Sequence, residues 1–133
     1  MNIIEIIVCG VAFMIIGSLW YSPLLFARTW MKLVGFNDAF IENAKAKGMF
    51  FTYGSSFILS LITASAMSFI FEMLQITDIR IGFLFALMIW AAFSGAPSLT
   101  NVLYTNKPFK LWLIDEGYKL VYMLAMAIII IWI

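Results

Sequence analysis

Residues 3–21 read IIEIIVCGVAFMIIGSLWY, an apolar run interrupted by a single charge at Glu5. A hydrocarbon core about 30 Å thick takes roughly 20 helical residues to cross. In lipid, every backbone N–H and C=O group must find its partner within the segment, and a helix achieves this. The stretch therefore predicts a transmembrane helix from Ile3 to Tyr21.

Three further apolar runs have comparable length: Met49 to Leu74, Ile81 to Tyr104 and Leu111 to Ile133. The chain is 65% hydrophobic and 11% charged, whereas an ordinary soluble domain carries about 25% charged residues. A soluble fold of 133 residues would leave too much apolar surface in water. We therefore predict an all-α fold, a four-helix transmembrane bundle that forms one domain over residues 1–133.

The first connection, Ser22 to Gly48, is long and amphipathic, which is typical of a helix lying in the membrane interface. Pro23 is expected at the first position of this helix, where its missing N–H is harmless, and Gly35 at its end. A second short helix is predicted from Ala39 to Lys47. Thr77 or Asp78 is expected to cap the third transmembrane helix.

The basic residues predict the orientation of the bundle. Seven of them fall on one side of the predicted topology and Arg80 alone falls on the other; the seven are Arg28, Lys32, Lys45, Lys47, Lys107, Lys110 and Lys119. Short cytoplasmic loops are enriched in Lys and Arg. Both termini are therefore predicted to be non-cytoplasmic, in what is expected to be a bacterial inner membrane.

Several classes of chemistry have no basis in the sequence. The chain has no histidine and a single cysteine, Cys9, which removes His-dependent catalysis and the usual zinc and haem ligands. A net charge of +1 offers no basic face for nucleic acid. We expect no enzymatic activity, no catalytic residues, no cofactor and no metal.

The polar residues of the fourth predicted helix form the strongest candidate site. Asp115 and Lys119 are four residues apart and share a helix face, so they are expected to neutralise each other. Asn101 is expected at the same depth. An ionisable cluster inside a membrane points to a solute or ion path, but an interfacial helix start with a snorkelling lysine is an open alternative. The predicted cluster comprises Trp20, Tyr21, Asn101, Asp115, Tyr118 and Lys119.

Small residues mark the faces predicted for helix packing. Ser56, Ser60 and Ser68 recur at multiples of four along the second helix, and the first helix contributes Gly10 and Gly17. Small side chains allow the backbones of membrane helices to approach closely. The outer half of the bundle is expected to be mostly apolar packing, with Glu5 in the first turn near the outer interface and Glu72, Asp78 and Arg80 on the same side.

Two motifs relate the chain to a known family. Residues 17–26 read GSLWYSPLLF, and residues 108–118 read PFKLWLIDEGY. With these motifs the chain resembles a family of small bacterial and fungal membrane proteins catalogued as a domain of unknown function. The resemblance covers essentially the whole chain and implies four transmembrane helices, but no activity.

The leading functional hypothesis is a homo-oligomeric, channel-like or transporter-like protein, or a solute-binding protein, with its polar cluster on the cytoplasmic side. The alternative is an accessory or structural subunit bound to a partner membrane protein. A small drug exporter and an intramembrane lipid enzyme are weaker alternatives. The partners predicted in every case are the lipid bilayer and either a second copy or another membrane protein.

Overall fold

The computed structural model describes residues 2–35, 42 and 48–133. These residues form five helices rather than the four of the sequence prediction. The helices are α1 (Ile3–Trp20), α2 (Ala27–Val34), α3 (Met49–Met73), α4 (Ile79–Thr105) and α5 (Phe109–Trp132). The fifth helix, α2, lies in the segment for which a helix in the membrane interface was predicted. The short helix predicted from Ala39 to Lys47 lies outside the described residues, apart from Glu42.

Individual residues explain where three of these helices begin or end. The Asn2 side chain accepts a hydrogen bond from the Ile4 amide at the start of α1 (2.9 Å), and Asp78 caps α4 in the same way, as predicted. These carboxamide and carboxylate oxygens satisfy amides that lack an intrahelical partner. Gly35 ends α2 with a φ of 77°, a left-handed conformation that glycine adopts without strain.

The predicted start of α2 at Pro23 was wrong. The chain first makes turns in which the Ser22 carbonyl accepts hydrogen bonds from the Leu25 and Ala27 amides. The Phe26 amide donates back to the Trp20 carbonyl (3.2 Å). These bonds use the groups that a helix starting at Pro23 would need, so α2 begins only at Ala27.

Three helices, α1, α3 and α4, are long and apolar enough to cross a membrane. The helix α5 is long as well, at 24 residues, but its first half carries Lys110, Asp115, Glu116 and Lys119. Because of these charges, α5 is not among the helices that are apolar enough to cross a membrane by composition. The expectation of four transmembrane helices is therefore supported for α1, α3 and α4.

The charged helix α5 lies at the centre of the bundle. It packs against α1 and α4 along most of its length and also contacts α2 and α3, while α1 pairs separately with α3. The buried core at its far half includes Cys9, Phe71, Met123, Met126 and Ala127. Large apolar side chains such as Phe50 and Phe93 point outward instead and are 92% and 80% exposed, an arrangement suited to contact with lipid.

The helix α4 is continuous but contains one wide π-type turn at Ala91–Gly95. Pro97 follows it and cannot donate a backbone hydrogen bond. Single π-type turns within α-helices occur frequently at functional sites. The part of α5 that packs against this turn is therefore a candidate for a functional site.

Candidate functional site

The two sequence motifs dock directly onto each other and fasten α1 to α5. A Cβ atom added to Gly17 would lie 2.8 Å from the Tyr118 hydroxyl, and one added to Gly117 would lie 3.1 Å from the Trp20 ring. Each motif thus supplies a glycine on which the aromatic ring of the other rests. The missing Cβ atoms let the two helices approach closely.

Two interhelical hydrogen bonds complete this contact. The Trp20 indole N–H donates to the Ile114 carbonyl (2.9 Å), and the Tyr118 hydroxyl donates to the Phe13 carbonyl (2.9 Å). Both acceptors are backbone carbonyls within helices, so side chains of one helix bind the backbone of the other. Trp20 was predicted to belong to the polar cluster, and its indole N–H serves this contact between helices.

Asp115 turns toward α1 and accepts a hydrogen bond from the Tyr21 hydroxyl (2.7 Å). Tyr21 lies just beyond the end of α1. Burial, followed by the hydrogen bond to Asp115, raises the pKa of this phenol above its usual value. Tyr21 therefore remains protonated at neutral pH and keeps donating to the carboxylate.

Lys119 pairs with Glu116, and not with Asp115 as predicted. Its Nζ lies 2.9 Å from Glu116 Oε1. Residues three and four apart can both meet on a helix surface, and the choice follows from the orientation of α5. Since Asp115 faces Tyr21, the neighbouring Glu116 is turned toward α4 on the same side as Lys119.

Glu116 is the most deeply buried charged residue among those described, with 2% of its surface exposed. Its second carboxylate oxygen accepts a hydrogen bond from the Ser94 hydroxyl of the π-type turn (2.8 Å). The sequence analysis left Glu116 out of the candidate cluster. Its position next to Asp115 was visible, but nothing in a single sequence showed which of the two acids faces the interior.

Two tryptophans tie the π-type turn to α5. The Trp112 indole donates to the Gly95 carbonyl (3.2 Å), and the Trp90 indole donates to the Glu116 carbonyl (2.9 Å). The π-type turn of α4 is thus held by side-chain donors from the neighbouring helix and from α4 itself.

A cavity of about 180 Å³ lies beside Glu116, between α4 and α5. The Ser98 hydroxyl is close to the Glu116 carboxylate, but it is buried without a hydrogen-bond partner of standard geometry among the described residues. A buried hydroxyl in this state is costly unless a water or ligand satisfies it. The cavity is lined by Ser98, Asn101, Val102, Lys107, Leu111, Trp112, Asp115, Glu116 and Lys119.

A second cavity, of about 410 Å³, lies on the opposite side of Asp115, between α1 and α3. Its lining consists of Phe13, Met14, Gly17, Ser18, Tyr21, Tyr53, Ser56 and Tyr118. The predicted cluster is therefore divided. Asn101, Asp115 and Lys119 line the first cavity, whereas Tyr21 and Tyr118 line the second, and the Tyr21–Asp115 hydrogen bond joins the two.

The opposite end of the bundle is more polar than predicted. Glu5 is only 7% exposed, and the Ser68 hydroxyl donates a hydrogen bond to its carboxylate. Glu5 stands in the first turn of α1, as expected, but α3 covers it. Both side chains line a cavity of about 560 Å³ that also includes Glu72 and Gln75. The expectation of mostly apolar packing in this half was wrong at this cavity.

The other residues predicted for packing have distinct positions. A Cβ atom on Gly10 would meet Phe57 and Leu61 of α3 at 2.8 and 2.9 Å. Ser60 is buried and donates to the Phe57 carbonyl of its own helix (2.6 Å). Ser56 lines the second cavity. Within the described residues, no three Cys, Asp or Glu side chains come together as a metal site would require.

Comparison with known proteins identifies a family but no characterised relative. A family model described as a protein of unknown function, DUF1761, matches residues 4–131. No curated protein and no solved structure matches the chain. The family match confirms the resemblance drawn from the sequence and covers both motifs.

Proposed function

The chain belongs to DUF1761, a family of proteins of unknown function, and we propose that it is an integral membrane protein that binds and moves a small dipolar solute. The solute occupies the cavity beside Glu116. The observation that carries this proposal is the 2% exposure of a charged Glu116 in a long helix at the centre of the bundle. Ionisable residues inside membrane bundles are costly and mark substrate or ion paths.

The lining of the cavity supports a solute with both hydrogen-bond donors and acceptors. Asp115 and Glu116 contribute two negative groups, and Lys107 and Lys119 contribute two positive groups, so the formal charges balance. A solute with a single net charge would gain little from such a lining, whereas a zwitterion meets a partner for each of its charges. The Ser98 hydroxyl, buried close to the Glu116 carboxylate, adds one hydrogen-bonding group for the solute.

The size of the cavity limits the solute. A volume of about 180 Å³ corresponds to roughly six water molecules at about 30 Å³ each. A molecule the size of a small amino acid fits this space. The π-type turn of α4 contacts Glu116 through Ser94, and single π-type turns occur frequently at functional sites.

The placement in the membrane belongs to the same proposal. We propose that α5 is a fourth span whose charges face α1 and α4 rather than lipid. Arg28 and Lys32 of α2 and Lys107 of the cavity lining support a cytoplasmic position for this end and non-cytoplasmic termini. Residence in a bacterial inner membrane and homo-oligomerisation complete the proposal, because a small bundle rarely encloses a path alone.

Solute binding can be tested with glycine as the probe. The protein in lipid nanodiscs is titrated while tryptophan fluorescence is recorded, since Trp90 and Trp112 lie beside Glu116. We expect a saturable response to glycine that exceeds the responses to acetate and methylammonium. Proteoliposomes loaded with labelled glycine then test transport.

Two variants and one control connect the response to the cavity. Glu116→Gln keeps the shape of the side chain and removes its charge, so it should abolish the response. Ser98→Ala removes a hydroxyl that lines the cavity, so it should weaken binding. Glu72→Gln alters an exposed carboxylate at the opposite end and should bind normally. The proposal is wrong if the unaltered protein shows no saturable response, or if Glu72→Gln loses it to the same extent.

A further inference from the structure

The second cavity is separate from the cavity beside Glu116 and is lined in large part by aromatic residues. These residues are Phe13, Tyr21, Tyr53 and Tyr118. Phe13 and Tyr118 have ring centroids 5.5 Å apart at 47°, and Tyr21 and Tyr118 have centroids 5.5 Å apart at 76°. These three rings pack against one another in the lining of the cavity. Its volume of about 410 Å³ lies within the range of small-molecule sites.

Three of the five hydroxyl groups in the lining of this cavity present acceptors rather than donors; Tyr53 and Ser56 carry the other two. The hydroxyls of Tyr21, Tyr118 and Ser18 donate to Asp115, to the Phe13 carbonyl and to the Met14 carbonyl. With their protons committed, these oxygens offer only lone pairs to a ligand. A ligand that brings its own donors or positive charge matches them.

The electrostatic surroundings of this cavity also favour a positively charged ligand. Asp115 lies behind the Tyr21 hydroxyl, and Gly17 and Ser18 belong to the C-terminal turn of α1, the negative end of its dipole. The positive end of α3 is at Met49, one turn from Tyr53, and its influence fades within the first turn. Lys and Arg are absent from the described lining.

We propose that this aromatic cavity binds an alkylammonium group. The faces of tyrosine and phenylalanine rings attract cations through the ring quadrupole, and aromatic cages bind quaternary ammonium ligands in this way. The hydrogen bond from Tyr21 to a carboxylate increases the electron density of its ring and strengthens that attraction. The ammonium group comes from a lipid headgroup or from a free amine. This site is independent of the dipolar solute proposed for the cavity beside Glu116.

The test compares choline with its neutral isostere 3,3-dimethylbutan-1-ol, which has the same shape without the charge. Binding of both probes to the full chain in phosphatidylglycerol nanodiscs is measured by calorimetry. We expect saturable binding of choline and at least tenfold weaker binding of the isostere. Equal binding of the two would overturn the proposal, and so would a lack of saturable choline binding.

Substitutions at exposed tyrosines test this cavity without disturbing the fold. Tyr53 is 55% exposed and lines the cavity, while Tyr104 is 88% exposed and lies outside it. Tyr53→Leu should weaken choline binding roughly threefold to tenfold, the effect of one cation–π contact, and Tyr104→Leu should leave it unchanged. Equal losses in both variants would count against the site.

The lipid composition distinguishes the two sources of the ammonium group. If a lipid headgroup is the natural occupant, choline will bind more weakly in phosphatidylcholine nanodiscs because the lipid competes for the cavity. If a free amine is the occupant, the affinity will be the same in both lipids. Either result agrees with an alkylammonium site. Glu116→Gln should not alter choline binding, so this site and the dipolar solute site can fail separately.

Discussion

The contact between the two motifs predicts a measurable cost for Gly17→Ala. The new Cβ would lie 2.8 Å from the Tyr118 hydroxyl oxygen and 3.2 Å from the adjoining ring carbon. Tyr118 must therefore move, and its hydrogen bond to the Phe13 carbonyl is lost or stretched. The substitution disturbs one defined contact, so its energy can be worked out from the structure.

Three contributions determine the net effect. Losing an interhelical hydrogen bond costs about 0.6–1.5 kcal/mol, and overpacking of a tight contact costs about 1–3 kcal/mol. Replacing glycine by alanine within a helix returns about 0.5–1 kcal/mol. The balance is a destabilisation of roughly 0.6–4 kcal/mol. Gly54→Ala is the matched control, because a Cβ there meets nothing within 4 Å and should be neutral or stabilising.

Reversible unfolding in mixed micelles measures this difference. A double-mutant cycle with Tyr118→Phe adds a second check, since removing the hydroxyl oxygen removes the closest contact of the new Cβ. Gly17→Ala should then cost less in the Tyr118→Phe background than in the unaltered chain. The reasoning is refuted if Gly17→Ala is as stable as Gly54→Ala, or if the two substitutions at the contact are additive.

Two other predictions concern the opposite end and the topology. Ser68→Ala should destabilise the protein by about 1–3 kcal/mol, because it leaves the buried Glu5 carboxylate without its hydroxyl donor. Ser65→Ala, which removes a bond within its own helix, should have little effect in the same unfolding assay, and equal losses would contradict the role of Glu5. Cysteines placed at Lys107 and at Arg80 should react with a membrane-impermeant maleimide from opposite sides of the membrane. Labelling of both from one side would disprove the topology, and the buried native cysteine should stay unlabelled.

Hydropathy made the helices predictable. The predicted spans differ from the observed α1, α3, α4 and α5 by about two residues at most, because apolar runs bounded by Pro, Gly and Asp leave few other places for a helix to end. The start of α2 was missed, since the turns after Ser22 depend on hydrogen bonds back to Trp20. These bonds depend on local geometry that hydropathy does not contain.

The pairing of charged residues was beyond the reach of the sequence. Lys119 can meet Asp115 or Glu116 from the same helix, and the two pairings differ little in an isolated helix. The orientation of α5 against α1 and α4 decides between them. Likewise, Glu5 is buried only because Ser68 of α3 packs over it.

By itself, the sequence determined that this chain forms apolar helices and about where they begin and end, because backbone hydrogen bonding and hydrophobicity act along the chain. Tertiary structure alone decided that Glu116 rather than Asp115 is buried beside the π-type turn. It also divided the predicted polar cluster into two cavities on either side of Asp115. The physical reason is that the cost of burying a charge depends on partners from other helices, which only packing brings within hydrogen-bonding distance.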